Sequence, residues 1–211
     1  MLIIIQFQKE LNLQLEELPE FYFLLSEFKM ADINSNTHTG PSFSLRNRLA
    51  RVIWELGYVL FFRYSPRPLH LWRSFLLRLF GAKIGRGVHV YPGAKIWAPW
   101  NLEIDDFSGI ADNVILYCQG KIIIGKYVVI SQGAHLCTGT HDYRAKGFPL
   151  ITNPINIADH VWIAAEAFIH PGVNIGEGSV IGARSVVTKS IESWKVYSGN
   201  PCIIIKNRTI S

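Results

Sequence analysis

Apolar residues along the chain follow two different periods, and the change falls near residue 83. Upstream, residues 45–62 (LRNRLARVIWELGYVLFF) and 69–80 (LHLWRSFLLRLF) place apolar residues at spacings of three and four, which predicts two helices. Pro66 and Pro68 lie between them, ending the first and starting the second, and Gly81 is placed to cap the second. Residues 1–29 have a helical pattern of their own. They read either as an extra helix or as sequence upstream of a start at Met30.

Downstream of residue 83 the period is six. Aliphatic residues fall at Ile84, Val90, Ile96 and Leu102, and after a slip of two at Ile104, Ile110, Leu116 and Ile122. A second slip of two leads to Ile124, Ile130 and Leu136. After a break the series runs through Ile157, Ile163, Ile169, Ile175, Ile181 and Val187. Each hexad supplies a short strand and a corner, and three hexads close one triangular coil with the aliphatic residue inside. Such coils stack about 4.8 Å apart through parallel strand hydrogen bonds. A coil cannot bury its own faces, so several must stack. The series predicts a mainly β, parallel β-helix of about five coils. A β-sandwich, with alternation of period two, does not fit. The expected organisation is a leader at 1–40, a basic aromatic helical segment at 41–82, the β-helix at 83–192 with a loop at 141–154, and a tail at 193–211.

Composition narrows the class. With 211 residues, 49% hydrophobic and 18% charged, the chain suits one well-buried domain with an appendage and is not disordered. Its three cysteines include no CxxC pair, which suggests free thiols in a reducing compartment. The net charge of +5 is uneven. Residues 1–40 carry a net −4, residues 41–90 a net +8, and the remainder +1. Within 45–80, seven arginines interleave with Trp54, Tyr58, Phe61, Phe62, Trp72 and Phe75. This mixture suits an interfacial helix on anionic lipid, or an aromatic face packed under the first coil; both readings stand. No nucleic-acid motif accompanies the charge. The longest apolar stretch, Val52–Phe62, is too short to span a bilayer, and the N-terminus lacks the marks of a signal peptide. A cytoplasmic protein is expected, on the inner face of the membrane if the lipid reading holds.

The six-residue period is the hexapeptide-repeat pattern, and the chain resembles the left-handed β-helix acyltransferases. More narrowly, PSFSLRNRL, SPRPLHLWRSFLLRLFGAKIG, HLCTGTHDY, VWIAAEAFIHPGVNIGEGSVIGARSVVTKSI and SGNPC resemble the colanic acid biosynthesis acetyltransferases of bacterial exopolysaccharide clusters, over about residues 41–206. The left hand comes from the resemblance alone. It implies acetyl-CoA as co-substrate, a sugar or lipid-linked oligosaccharide as acceptor, and a homotrimer with sites shared between chains.

The repeat breaks into a polar, Gly/Pro-punctuated loop, HDYRAKGFPLITN, opened by His141. Loops extruded from a rigid solenoid commonly carry function. Acyl transfer from a thioester to an alcohol needs a base for the hydroxyl proton and donors for the oxyanion, and a neutral imidazole suits the first task. The resemblance makes His141 that base. Asp142 either orients the imidazole or caps the loop. Asp112 and Asn113 are acceptor-binding candidates, although Ala111 stands where galactoside-type enzymes carry an acceptor-binding Asn. By matching motifs, Trp162, Ala164 and Ala165 border the thioester and pantetheine. Ala183, Thr188 and Lys189 line the coenzyme's arm and nucleotide end, and Lys206 and Lys189 meet its phosphates. No histidine pair has the spacing of the zinc-dependent carbonic anhydrases of this fold, so no metal is expected. Two rivals remain: N-acetylation of an amino sugar, and a non-catalytic scaffold of a membrane-associated polysaccharide complex.

Overall fold

A computed structural model of the protein describes residues 41–210; the leader and His38 lie outside the described residues. Helix α1 spans Leu45–Gly57, with the Ser44 hydroxyl capping its start by accepting from the Asn47 N–H. It runs on as a π-helical turn over Tyr58–Phe62. After Pro66 and Pro68 comes α2, His70–Leu79, which ends at Gly81 in the left-handed region.

The hexads then form a three-sided parallel β-helix. The first face holds strands 83–84, 102–104, 122–124, 155–157 and 174–175. The second holds 89–90, 109–110, 129–130, 162–163, 180–181 and 195–198. The third holds 95–96, 115–117, 135–137, 168–169 and 186–187. Ile191 bridges to Ile175, so a partial sixth coil follows the five expected. The region read as a tail therefore carries a strand of this coil, and residues 203–207 pair with it antiparallel. The series residues face inward and form one continuous core.

The two slips of two residues have a physical cause. Ile84 lies over Ile104 and Ile104 over Ile124, a spacing of 20 residues, whereas Ile157 lies over Ile175, a spacing of 18. The longer coils carry a three-residue strand on the first face, so that Leu102 and Ile104 both point inward while Glu103 points out. Each slip is a widened face rather than a broken repeat.

Inward-facing residues turn their carbonyls toward the preceding coil: Gly85 donates to Ile104 O, Tyr91 to Ile110 O and Trp97 to Leu116 O. The first coil has no predecessor, so the carbonyls of Ile84, Val90 and Ile96 would be orphaned. Side chains of the helices take all three. Arg78 donates to Ile84 O through Nε (3.1 Å) and Nη2 (2.9 Å), Arg73 Nε to Val90 O (2.6 Å), and Trp54 Nε1 to Ile96 O (2.7 Å). Arg73 is wholly buried and also donates to Ser65 Oγ and to the carbonyls of Pro66 and Arg67. Burial pulls its pKa down to about 10, and the ring of acceptors keeps it charged at neutral pH. Part of the basic charge of residues 41–90 is therefore end-capping.

His160 belongs to a stack along one corner. Phe107 and Tyr127 lie 5.3 Å apart and Tyr127 and His160 5.1 Å apart, all three with positive φ. The three cysteines are free, and burial pushes Cys118 up to about 11.

Arg73→Met keeps the volume and removes the donors. Leaving buried carbonyls without partners costs about 1–3 kcal/mol each. We expect a loss of about 3 kcal/mol or more in denaturant unfolding. A loss below about 1 kcal/mol would mean that the capping is not structural.

Candidate active site

The segment expected as a loop from His141 to Pro154 is a hairpin that starts two residues earlier. Strands 139–141 and 150–152 pair antiparallel, with His141 opposite Leu150. Its base is fixed by Thr138, which is fully buried: Oγ1 donates to Tyr117 O (3.0 Å) and accepts from Gly120 N (2.8 Å). Gly139 permits a close approach, since a Cβ there would lie 1.7 Å from Gln119 Oε1.

Gly147 (φ 92) and Phe148 (φ 47) turn the hairpin tip so that the Phe148 carbonyl points back at His141. His141 Nδ1 lies 2.6 Å from that oxygen. A carbonyl only accepts, so Nδ1 carries the proton, and in the neutral imidazole Nε2 keeps its lone pair. The imidazole is exposed, with its basic nitrogen available. Asp142 does not orient it. Its Oδ1 accepts from Arg144 N (3.0 Å) and its own N–H donates to Pro149 O (3.0 Å), which is the loop-capping alternative. The orienting group is a main-chain oxygen, which has no side-chain signature in a sequence.

His141 opens onto a cleft of about 260 Å³ between the hairpin and the start of α1. Phe43, Arg48, Arg51, Gln119 and Leu150 line it with His141. In the sequence the two arginines stand out only as members of the basic segment at 41–82. Their approach to the imidazole was not foreseeable, because α1 and the hairpin are some ninety residues apart.

The other expected site residues divide between two edges of the prism. Trp162, Ala164, Ala165 and Ala183 sit on the second face or at the corner between it and the third. Trp162 is 47% exposed and donates from Nε1 to Ser131 Oγ (3.0 Å). The Ala165 carbonyl accepts from Arg184 N one coil on (2.9 Å). Its own N–H makes no hydrogen bond among the described residues. Asp112 and Asn113 occupy the same corner two coils earlier. Asp112 accepts from Gly93 N (2.9 Å) and pairs with Arg67, while Asn113 takes the left-handed turn at φ 60. Neither lines the cleft at His141. Thr188 and Lys189 are exposed at the corner between the third and first faces, the corner from which the His141 hairpin projects. Lys206 lies exposed on the antiparallel strand 203–207. Among the described residues, no three His, Cys, Asp or Glu side chains are grouped so as to hold a metal ion.

Residues 154–189 match the family model described as bacterial transferase hexapeptide (six repeats). The chain is 44% identical over 162 residues to the colanic acid biosynthesis acetyltransferase WcaF of Escherichia coli K12, covering 77% of this chain and 89% of that protein. The chain belongs to the hexapeptide-repeat acetyltransferases. The galactoside O-acetyltransferase of Escherichia coli K12 is 38% identical over 122 residues, covering 57% of this chain and 55% of that one. Among solved structures, a hexapeptide-repeat acetyltransferase of Vibrio cholerae complexed with acetyl-coenzyme A superposes with a TM-score of 0.70 at 26% identity, covering 79% of this chain and 91% of that one. A galactoside acetyltransferase in complex with coenzyme A gives 0.73 at 26% identity, covering 80% and 86%.

The hydrogen bond to Phe148 sets the tautomer. In the neutral imidazole of His141 we expect the proton on Nδ1, read from the ¹⁵N shifts of labelled protein. A neutral Nε2–H form would mean that the Phe148 contact does not orient the ring.

Proposed function

We propose that the protein is an acetyl-CoA-dependent O-acetyltransferase acting on a sugar hydroxyl of an exopolysaccharide precursor, with His141 as general base. The observation that carries this is the Nδ1–H contact to Phe148 O, which leaves Nε2 as a basic nitrogen facing a cleft. Nε2 takes the hydroxyl proton as the sugar oxygen bonds to the acetyl carbon of the thioester. The C–S bond then breaks, and the imidazolium returns the proton to the coenzyme A thiolate. Backbone donors such as the Ala165 N–H hold the oxyanion in between. The likeness to WcaF and to galactoside O-acetyltransferase supports the sugar acceptor, and the coenzyme A complexes of the solved relatives support the donor.

His141 projects from one edge of the prism and Ala165 lies at another. A site that uses both draws them from adjacent chains, which favours the homotrimer. Replacing His141 by Ala should lower acetyl transfer roughly 10²–10⁴-fold and leave coenzyme A binding intact. Ala165→Trp should block the donor side. Mixed assemblies of the two inactive variants should regain about a quarter of the native activity, since half the chains supply each side at random. Full activity in His141→Ala would remove it as the base, and no regain on mixing would place the site within one chain. Absence of coenzyme A binding in the native protein would favour the scaffold reading.

A second reading concerns α1 and the π-helical turn that follows it, whose solvent side carries an apolar stripe. Leu45, Leu49, Val52, Leu56 and Leu60 recur at helical spacing and are 66%, 56%, 58%, 59% and 65% exposed. Such a stripe on a surface helix marks an interaction face. The exposed arginines 46, 48 and 63 lie on the same segment with one acid, Glu55, so like charge disfavours a second copy of the stripe and favours an anionic lipid surface. Among the described residues no helix is long and apolar enough to cross a membrane. Co-sedimentation with vesicles containing phosphatidylglycerol should exceed that with phosphatidylcholine alone. Leu56→Asp should weaken it about 10-fold, the loss expected for one buried leucine. Equal sedimentation of native protein and variant would exclude this surface.

A further inference from the structure

The cleft at His141 is cationic, and among the described residues its charge is unanswered. Arg48 and Arg51 line it, and among the described residues no carboxylate does. Neither guanidinium pairs with an acid among the described residues, unlike Arg67, Arg86 and Arg184, each of which does. Arg51 lies over the Trp97 ring, with its carbon 4.3 Å from the centroid, and against Phe43 at 5.5 Å. The rings flank the guanidinium of this half-buried side chain. Its Nε is buried without a hydrogen-bond partner among the described residues. One turn earlier on the same face of α1, Asn47 is 8% exposed, and its Oδ1 is likewise buried and unpartnered.

Buried polar atoms are normally satisfied, and an unpaired buried cation is costly. Two other arginines of this segment, Arg73 and Arg78, follow the rule and are spent on carbonyls of the first coil. Burial, and to a lesser degree the neighbouring Arg48, holds the Arg51 guanidinium below its ordinary pKa, while Tyr117 acts in the opposite sense. Two neighbouring positive charges with no acid among the described residues, in a cleft also lined by the His141 imidazole, form a receptor for an anion. The guanidinium plane presents paired N–H donors that suit the two oxygens of a carboxylate or phosphate.

We propose that Arg48 and Arg51 form a subsite for an anionic group of the acceptor, a carboxylate or a phosphate, which positions the acceptor hydroxyl at His141 Nε2. The proposal rests on the acetyl-transfer reading above and narrows its acceptor to a charged sugar: a uronic acid, or a sugar carrying a phosphate or diphosphate. The anion anchors the acceptor. A neutral hexose leaves both arginines unpaired.

The test separates binding from turnover. Calorimetry on the full chain with inorganic pyrophosphate and with glucuronate, each alone, reads the subsite whether or not an acetyl acceptor has been found. We expect at least one of them to bind, more weakly as salt rises. Arg51→Gln and Arg48→Gln should each weaken that binding about 10- to 100-fold, the scale of a hydrogen bond to a charged group. Arg48 is exposed, so its substitution is informative even if Arg51→Gln lowers stability. Binding of pyrophosphate without glucuronate assigns a phosphate-bearing acceptor, and the converse a uronate. In turnover, kcat/KM for the charged acceptor should exceed that for the matched neutral hexose, and the ratio should fall toward one in either variant. Binding of neither anion, or equal binding by native protein and both variants, overturns the subsite. An anion that binds to a protein unable to bind acetyl-CoA would support the subsite while overturning the transferase reading.

Discussion

Every coil of this prism presents inward-facing residues whose carbonyls must be met from the coil before, and the first coil has none before it. The arrangement of the N-terminal half answers that constraint. Helix α2 lies across the open end and lends Arg73 and Arg78, and α1 lends Trp54. Once Trp54 is anchored on Ile96 O, the position of α1 along the third face is set. That in turn brings Arg48 and Arg51 to the mouth of the hairpin. The capping of the solenoid and the wall of the candidate site are consequences of the same docking.

The hairpin is the second determinant. Its base is held by the Thr138 hydroxyl among main-chain groups, and its tip is bent by two residues of positive φ. Between these fixed points His141 has one main-chain oxygen to meet. The imidazole is thus oriented by the loop's own backbone rather than by a carboxylate. This spares the site a negative charge beside a cleft lined by two arginines.

The prism was legible because period six is imposed by every coil at once, and seventeen positions carried the same message. Even the slips at Leu102 and Ile122 had structural content: they mark strands with two inward residues in place of one. His141 was legible from its place at the break in the repeat. What held its ring was not, because the Phe148 oxygen is common to all residue types and its direction depends on a turn. The arginines were visible as charge and opaque as individuals. Arg73 caps a carbonyl, Arg67 pairs with Asp112, and Arg51 rests on Trp97, yet a net charge counts them alike. Which one meets which partner depends on contacts between elements far apart in the chain, as does the division of the site between two corners.

The two ends of the β-helix bear on how copies can meet. A parallel solenoid with bare ends is a template on which another molecule can continue the ladder, coil upon coil, into a fibre. At the amino-terminal end that template is gone, because arginine and tryptophan side chains already occupy the carbonyls an incoming coil would use. At the other end, strand 203–207 pairs antiparallel with strand 195–198, across a register shift between Val196 and Tyr197, so the second face offers no edge a parallel coil could extend. On the second face, coil-upon-coil growth is thus closed at one end by side-chain chemistry and at the other by strand direction.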